Sequence, residues 1–397
     1  MPVPVLLIVI GTRSEALAGA ALLGQFRSAD PYSLPFEPRV ATTGQEDTEL
    51  LQALDAAGIV PATELSVKRP HLADANLDAC LVDQVERLVR RHDAAVVLAI
   101  GCSATAWAAA VVAYFKQVPL IHLGAGVFAP GDLRPFPEWY HRWDLARLAG
   151  LHLCPDEICA RAVQNAVGAE APQGAATAQT AVVGEGADEM LARSLAAARS
   201  DPEAELTLKG LRSDAPRVLA YVRRREHHAD GLRPLCRALD AVSARHPDHD
   251  FVAVHSLQSH ICDAMAALIP RRGNLRDISP LPHPVFVREL MRARLVMTDS
   301  AGVAREALLL GRPLVLIGDY SRTESLDALA ASGDCAIAAM AIAAMEEDAL
   351  RTAVSMILSR PAPGPAPTAL NPPRAGHRAA QAILEWWKQA EACTTNR

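Results

Sequence analysis

Residues 294–319 read RLVMTDSAGVAREALLLGRPLVLIGD, and this stretch decides the fold class. An apolar run ends in Thr298-Asp299-Ser300, an Ala/Leu-rich run follows, and a second apolar run begins after Gly-Arg-Pro. Short, continuously apolar runs on either side of a helical pattern are typical of parallel strands buried on both faces. The stretch therefore predicts a strand–helix–strand unit of a parallel α/β sheet.

The same alternation extends along most of the chain. The apolar strand candidates are residues 5–10, 38–43, 94–100, 119–124, 151–155, 180–184, 217–222, 250–256, 294–300 and 312–319. These strands are too many for one sheet, and the helical sequence at 186–216 provides a natural break. We predict two Rossmann-like doubly wound α/β domains, at 1–185 and 186–360, that face each other across a cleft. A Pro-rich connector and a C-terminal helix that packs back on the body complete the chain at 361–397.

Composition narrows the functional class. The chain has 397 residues and a net charge of −6, and it has no basic stripe of the kind that nucleic acid requires. Its 8 cysteines are scattered without a CxxC pair, which favours reduced thiols over a metal site. The apolar N-terminus lacks a basic leader segment, and no run is long enough for a membrane span. We expect a cytoplasmic protein that needs no metal and no cofactor. No GxGxxG follows a strand, which argues against hydride or methyl transfer.

In open α/β sheets ligands bind at the carboxyl ends of strands, so polar residues at these ends are the candidates for binding and catalysis. The strand at 294–300 ends in Ser300, and Ala301-Gly302 would let the backbone approach a ligand at a helix start. That is an anion site, with Ser300 as an additional donor. Glu306 is too far along the helix for the same phosphate and could accept ribose hydroxyls. The alternative is that Ser300 is only an N-cap and Glu306 a solvated charge.

Two further strand ends carry polar residues. The first is Gly11-Thr12, after which a helix is predicted to begin near Ser14, with no capping box between Ser14 and Leu17. Arg13 would lie at the cleft mouth, suited to a phosphate, or would be a surface arginine. His255 closes the strand at 250–256 and could equally be a core histidine. The sequence HPDHD at 246–250 contains metal-ligand residue types but precedes its strand, so we interpret it as a turn.

Taken together, these motifs resemble the non-hydrolysing UDP-N-acetylglucosamine 2-epimerases, whose two-domain fold is like that of the GT-B glycosyltransferases. GTRSEAL resembles that family's GTRPEA opening, PFPEWYHRW its "PEE-NRR" segment and VLAYVRRREH its "HRREN" strand end. The closest stretch is residues 280–319, which resembles "PL-Y--F--LM--A--V-TDSGG-QEEA--LGKPVLV". The resemblance covers roughly residues 5–350.

The resemblance implies that this chain retains most of the residues that bind the nucleoside diphosphate in the family. Arg13, His255, Ser300 and Glu306 fall on the family's binding positions, with Ala301 in place of a glycine before Gly302. The late arginine of the family's "ERPE" segment falls on Thr323, and the adjacent Arg322 could substitute for it.

The resemblance also implies that the residues for chemistry at sugar C2 are mostly lost. The family's aspartate, glutamate, histidine and lysine positions hold Cys102, Gly124, Arg223 and Ala18 respectively. Glu138 remains of the acid/base set. Arginine stays protonated and cannot act as a base, and a thiol beside a strand core is more often inert.

Three functions remain open. The first, which we favour, is a glycosyltransferase-like enzyme that releases NDP and passes the sugar to a small-molecule acceptor, with Glu138, Arg223 and Cys102 as the catalytic group. The second is a divergent 2-epimerase or a hydrolysing variant. The third is a non-catalytic sugar-nucleotide-binding protein. The expected ligand is a UDP-sugar, with a GDP-sugar as the alternative. The Ala-rich helices of the first domain could pack in a homodimer or face solvent or the core.

Overall fold

The computed structural model describes most of the chain. The described residues are 3–29, 34–44, 47–65, 74–127, 137–168, 178–200, 215–222, 232–254, 265, 267–269, 273–318 and 340–395. By their contacts they form two compact units, unit 1 over Met1–Met190 and Asn371–Arg397, and unit 2 over Leu191–Leu370.

Unit 1 is built on one parallel sheet. Its strands are β1 (Val5–Ile10), β2 (Glu37–Thr42), β3 (Thr63–Glu64), β4 (Ala94–Ile100), β5 (Leu120–Leu123), β6 (Leu151–Cys154) and β7 (Gln179–Val182). Its helices are α1 (Arg13–Ser28), α2 (Asp47–Ala56), α3 (Asp74–Arg91), α4 (Ala104–Lys116), α5 (Glu138–Leu148) and α6 (Glu157–Gly168), and α7 (Gly186–Ser200) begins in it. The strand order is β3-β2-β1-β4-β5-β6-β7, so the order reverses between β1 and β4.

Unit 2 repeats the arrangement. Its strands are β8 (Arg217–Tyr221), β9 (Asp250–Val254), β10 (Leu275–Ile278), β11 (Ala293–Thr298), β12 (Leu314–Ile317) and β13 (Met340–Ala343). Its helices are α8 (Leu232–Arg245), α9 (His283–Arg292), α10 (Ala301–Leu309) and α11 (Glu347–Leu358), and the last helix of the chain is α12 (Ala375–Thr395). The parallel order β10-β9-β8-β11-β12-β13 again places the reversal at the first strand, between β8 and β11.

The apolar runs form strands because both faces of each sheet are covered. In β1 the side chains of Leu6, Ile8 and Ile10 pack on one face with residues of α1, α2 and α12. Those of Leu7 and Val9 pack on the other face with residues of α3, α4 and α5. A strand that is apolar at every position therefore has a core on each side, as the sequence pattern predicted. The α/β class with two parallel sheets is confirmed.

Three strands were not predicted from the sequence: β3, β10 and β13. Each lies at the edge of its sheet, where one neighbour is missing. Their burial is incomplete, so they lack the continuous apolar run that marks the central strands. The ends of the other strands differ from the predicted ranges by a few residues at most.

The division between the units falls inside α7, a few residues beyond the predicted boundary at 185. The final helix belongs to unit 1, although about half of the chain separates it from the rest of that unit. Among the described helices, none is long and apolar enough to cross a membrane.

Candidate functional site

The turn after β1 is closed by Glu15. The Thr12 hydroxyl oxygen accepts from Glu15 N at 3.3 Å, and Glu15 Oε2 accepts from Thr12 N at 3.0 Å. These reciprocal bonds form a capping box with Thr12 as the N-cap. The helix therefore begins at Arg13, one residue before Ser14, so the predicted start near Ser14 is confirmed, whereas the capping pair Thr12–Glu15 was overlooked.

Glu15 also joins this turn to the turn after β4. Its Oε2 accepts from Gly11 N at 2.7 Å, and its Oε1 accepts from the Ser103 hydroxyl. Ser103 is the N-cap of α4 and accepts from Thr105 N at 3.1 Å. Gly11 is required at this contact, since a Cβ there would overlap the Thr105 side chain. The turns at the strand-order reversal of unit 1 are thus locked together, at the edge where such sheets bind ligands.

Arg13 is the first residue of α1 and is 7 % exposed. The solvated surface arginine that the sequence allowed is therefore excluded. A buried guanidinium beside a tight glycine turn is compatible with a phosphate ligand, so its binding role remains a prediction.

Cys102 follows β4 in the Gly101–Ser103 turn. Burial raises the pKa of its thiol above the ordinary range, while the nearby Arg142 guanidinium opposes that shift and the Glu138 carboxylate adds to it. The thiol is therefore protonated at neutral pH, and a protonated thiol is neither a base nor a nucleophile. Of the two roles open to Cys102, the inert one is favoured by this environment.

Arg142 is a candidate site residue that the sequence did not single out. Its Nε donates to Cys102 Sγ at 3.3 Å, and within the described part of the chain its buried Nη1 has no hydrogen-bond partner. Glu138, the first residue of α5, lies close enough for its charge to act on both Cys102 and Arg142. The signal was present in the sequence, because Arg142 falls on the first arginine of the "PEE-NRR" segment.

Gly124, which by the resemblance falls on the family's glutamate position, directly follows β5. Its φ of +78° is in the left-handed region, which glycine adopts without strain. Its N–H donates to Leu153 O at 3.0 Å, so the backbone at this point is fixed. A glutamate side chain is absent here, and the backbone conformation is one that favours glycine.

The turn after β11 joins a strand to a helix as predicted, and anion binding at this turn stays a prediction. Ser300 is the N-cap of α10, and its hydroxyl oxygen accepts from Val303 N at 3.4 Å. Ser300 N donates to Thr298 Oγ1 at 3.0 Å. A Cβ built on Gly302 would meet Ser300 Oγ at 3.8 Å, which is an ordinary contact. The amides of the first helical turn, at Ala301 and Gly302, are of the kind that has no partner within a helix.

Glu306 lies farther along α10 and is 7 % exposed, so it is not the solvated charge that the sequence allowed as an alternative. Its Oε1 accepts from His283 Nε2 at 2.9 Å. His283 Nδ1 in turn lies 2.8 Å from the Ser194 hydroxyl. Three side chains from three helices, α7, α9 and α10, are therefore linked in one buried chain.

Arg223, His255 and Arg322 lie outside the described residues. Their roles in diphosphate binding and catalysis stay predictions.

The HPDHD segment forms a turn before β9, as predicted. The side chain of Asn274 donates to the carbonyl oxygens of Ser243, His246 and His249 at 3.0–3.1 Å, which holds the turn in place. His246, Asp248 and His249 bring ligand-type atoms within 4.8 Å of one another. The turn lies at the amino end of β9, at the opposite sheet edge from the Ser300 turn, and the Asp248 carboxylate lies 3.0 Å from His249 Nδ1.

Comparisons with known proteins agree with this geometry. A family model described as UDP-N-acetylglucosamine 2-epimerase matches residues 33–366. A probable UDP-N-acetylglucosamine 2-epimerase of Ralstonia solanacearum is 28 % identical over 331 residues, which cover 81 % of this chain and 84 % of that protein. The UDP-N-acetylglucosamine 2-epimerase of Escherichia coli K12 is 26 % identical over 328 residues, with the same coverage of 81 % and 84 %.

Solved structures show the same fold. The Neisseria meningitidis UDP-GlcNAc 2-epimerase bound to UDP-GlcNAc superposes with a TM-score of 0.81 at 20 % identity, covering 96 % of this chain and 100 % of that one. The Staphylococcus aureus MnaA–UDP structure gives a TM-score of 0.79 at 19 % identity, covering 97 % of each chain.

Two parallel doubly wound units with polar turns at their strand-order reversals define a two-unit protein of the doubly wound α/β class. Within that class, the chain belongs to the UDP-N-acetylglucosamine 2-epimerase family.

Proposed function

We propose that unit 2 holds the nucleoside diphosphate of a UDP-sugar and that unit 1 carries the acceptor side of the reaction. The observation that carries this is the Ser300 turn, a helix start with a hydroxyl and small residues after a buried strand. Such a turn binds anions through its free amides and the positive end of the helix dipole. Relatives of similar fold were solved with UDP or UDP-GlcNAc, which supports UDP over GDP.

The reaction we propose is glycosyl transfer with NDP as the leaving group. The anomeric carbon–oxygen bond breaks and its electron pair leaves with UDP, whose charge the Ser300 turn and Arg13 would stabilise. An acceptor hydroxyl oxygen forms the new bond to the anomeric carbon, and its proton passes to the Glu138 carboxylate. Arg223 and Arg322 would add positive charge at the departing diphosphate.

Epimerisation at C2 is disfavoured because it needs a base and an acid that both reach that carbon. At the family's positions this chain has the Cys102 thiol, whose pKa is raised by burial, and Gly124, which has no side chain. Each lost acid/base group costs about 10²–10⁴ in rate.

The test uses UDP-GlcNAc in deuterated water, with the products followed by NMR and the released UDP measured enzymatically. Transfer predicts UDP release that depends on an added acceptor, with no deuterium at C2. Deuterium at C2 together with the epimeric sugar would overturn the transfer proposal. The Glu138→Gln variant should lower acceptor-dependent UDP release about 10²–10⁴-fold. Glu157→Gln, an exposed first-turn carboxylate on α6, is the matched control.

Family membership favours a second candidate, a divergent 2-epimerase or hydrolysing variant with relocated residues. The relatives described as epimerases span most of this chain. UDP release without acceptor would indicate hydrolysis. Binding of the nucleotide sugar without release of UDP or another NDP, across a panel of acceptors, would indicate the third candidate, a non-catalytic binding protein.

Three further features belong to the proposal. We place the protein in the cytoplasm, where the nucleotide sugar would be its substrate. We propose a small-molecule acceptor, and a homodimer as the assembly. Light scattering of the purified chain tests the last of these directly.

A further inference from the structure

The side chains of Ser194, His283 and Glu306 form a buried line of hydrogen bonds. The packing of the helices alone does not require such a line. Ser194 and His283 are each 1 % exposed, and Glu306 is 7 % exposed. Burying a carboxylate costs free energy unless hydrogen bonds compensate, and apolar residues at such positions would often pack equally well. For the Glu306 carboxylate, the compensating hydrogen bond comes from the His283 side chain.

The distances show how His283 connects the other two side chains. His283 Nε2 lies 2.9 Å from Glu306 Oε1, and His283 Nδ1 lies 2.8 Å from the Ser194 hydroxyl. An Nε2–H donates to the carboxylate oxygen, and each ring nitrogen then has one hydrogen-bond partner. The Ser194 bond fixes the ring, and the ring fixes one carboxylate oxygen.

Glu306 follows the start of α10 by five residues, which corresponds to about 8 Å along a helix axis. If the phosphate of a nucleotide binds at the Ser300 turn, the attached ribose would lie at about the distance of Glu306. The family pattern that residues 280–319 resemble has tyrosine where this chain has His283.

We infer that His283 is a positioning residue, which, held by Ser194, orients the Glu306 carboxylate to accept the ribose 2′-hydroxyl of a bound nucleoside diphosphate. The inference rests on the proposed function, because it takes Glu306 as the ribose-binding residue of the site at Ser300.

The test measures the dissociation constants of UDP and 2′-deoxy-UDP by calorimetry on the full chain. The wild type should prefer UDP by about tenfold or more, the effect of one hydrogen bond to a charged group. His283→Phe should reduce that preference to about threefold or less, mainly by weakening UDP. Glu306→Gln should do the same. His283→Gln, which keeps a donor near the Nε2 position, should retain most of the preference.

Arg288 supplies the matched control. Like His283 it ties α9 to α7, since its Nε donates to Ala198 O at 3.0 Å. Arg288→Met should leave the preference for UDP unchanged although it loosens the same pair of helices. An equal loss in Arg288→Met, or an unchanged preference in His283→Phe, would overturn the positioning role.

Two further outcomes are distinct. A wild type that binds no UDP overturns the proposed function and the inference with it. A wild type that binds UDP and 2′-deoxy-UDP equally overturns the inference about the 2′-hydroxyl and leaves the proposed function standing. If His283→Phe does not fold, Ser194→Ala carries the test, and it should lower the preference about threefold. No change in Ser194→Ala would then count against the inference.

Discussion

Glu15 and Glu306 are both buried carboxylates, and their partners decide what each one does. Glu15 accepts bonds from two backbone amides and from the Ser103 hydroxyl, so it is a structural lock at the strand-order reversal of unit 1. Glu306 accepts from a histidine that is itself held by a serine. The bonds of Glu15 to the two amides are local, and the one from Thr12 belongs to the T-x-x-E capping signature. The Glu15–Ser103 and Glu306–His283 bonds join residues far apart in the sequence.

Cys102 provides a prediction at the residue scale. Burial raises the pKa of its thiol, so alkylation by iodoacetamide in the native protein should be slow at neutral pH and should accelerate only above the ordinary range for cysteine. The measurement is mass-spectrometric labelling against time and pH, with the unfolded chain as the control. Fast labelling of native Cys102 at neutral pH would mean an activated thiolate and would reopen its role as a base.

At the scale of the secondary-structure element, the neighbouring strands β5 and β6 place two histidines side by side. His122 pairs with His152 across the strands, and their ring centroids are 6.0 Å apart. Burial, followed by the second histidine, lowers the pKa of His122 to about 3. Burial lowers the pKa of His152 to about 4. Both side chains are therefore neutral in the folded protein at neutral pH.

This pair makes stability depend on pH. In the unfolded chain both histidines titrate near 6.5, so below that pH the unfolded state binds more protons than the folded state. The contribution of this pair to the free energy of unfolding should be constant above this range and should fall with decreasing pH, by up to about 1.4 kcal/mol per pH unit for each histidine. Urea denaturation across the acidic range measures the slope.

His152→Leu should remove one of the two contributions and flatten the slope by about 1.4 kcal/mol per pH unit. His377→Gln is the control, because His377 is exposed on α12. An unchanged slope in His152→Leu would show that the buried histidine does not control this dependence.

Elements also show where sequence patterns stop being informative. Central strands such as β1 and β11 are buried at every position and were predicted from their apolar runs. The edge strands β3, β10 and β13 were missed, because a strand with one neighbour has no need for an apolar run.

At the scale of the whole molecule, α12 completes unit 1 from the far end of the chain. Trp387 is 6 % exposed and lies 5.1 Å from Phe36 between ring centroids, in the cluster that also covers one face of β1. The backbone N–H of Gly376 donates to Glu189 at 2.8 Å, which fixes the start of the helix. The helix is therefore part of a core.

Trp387→Ala should lower the free energy of unfolding of unit 1 by about 3–5 kcal/mol through the cavity it leaves. Hydrogen exchange followed by mass spectrometry should show faster exchange in the strands of unit 1, while the strands of unit 2 keep their protection. Lys388→Ala, an exposed neighbour on the same helix, should change stability by no more than about 0.5 kcal/mol. Uniform loss of protection in both units would contradict this assignment.

The sequence by itself determined the α/β class, the central strands, the start of α10 after Ser300 and the family. These depend on periodicity and on residues adjacent in the chain, so a local pattern carries them. Only the tertiary structure decided that Glu15 meets Ser103, 88 residues away, and that Ser194 meets His283, 89 residues away. Such pairs form because the sheet order brings distant turns and helices together, and no local pattern records that order.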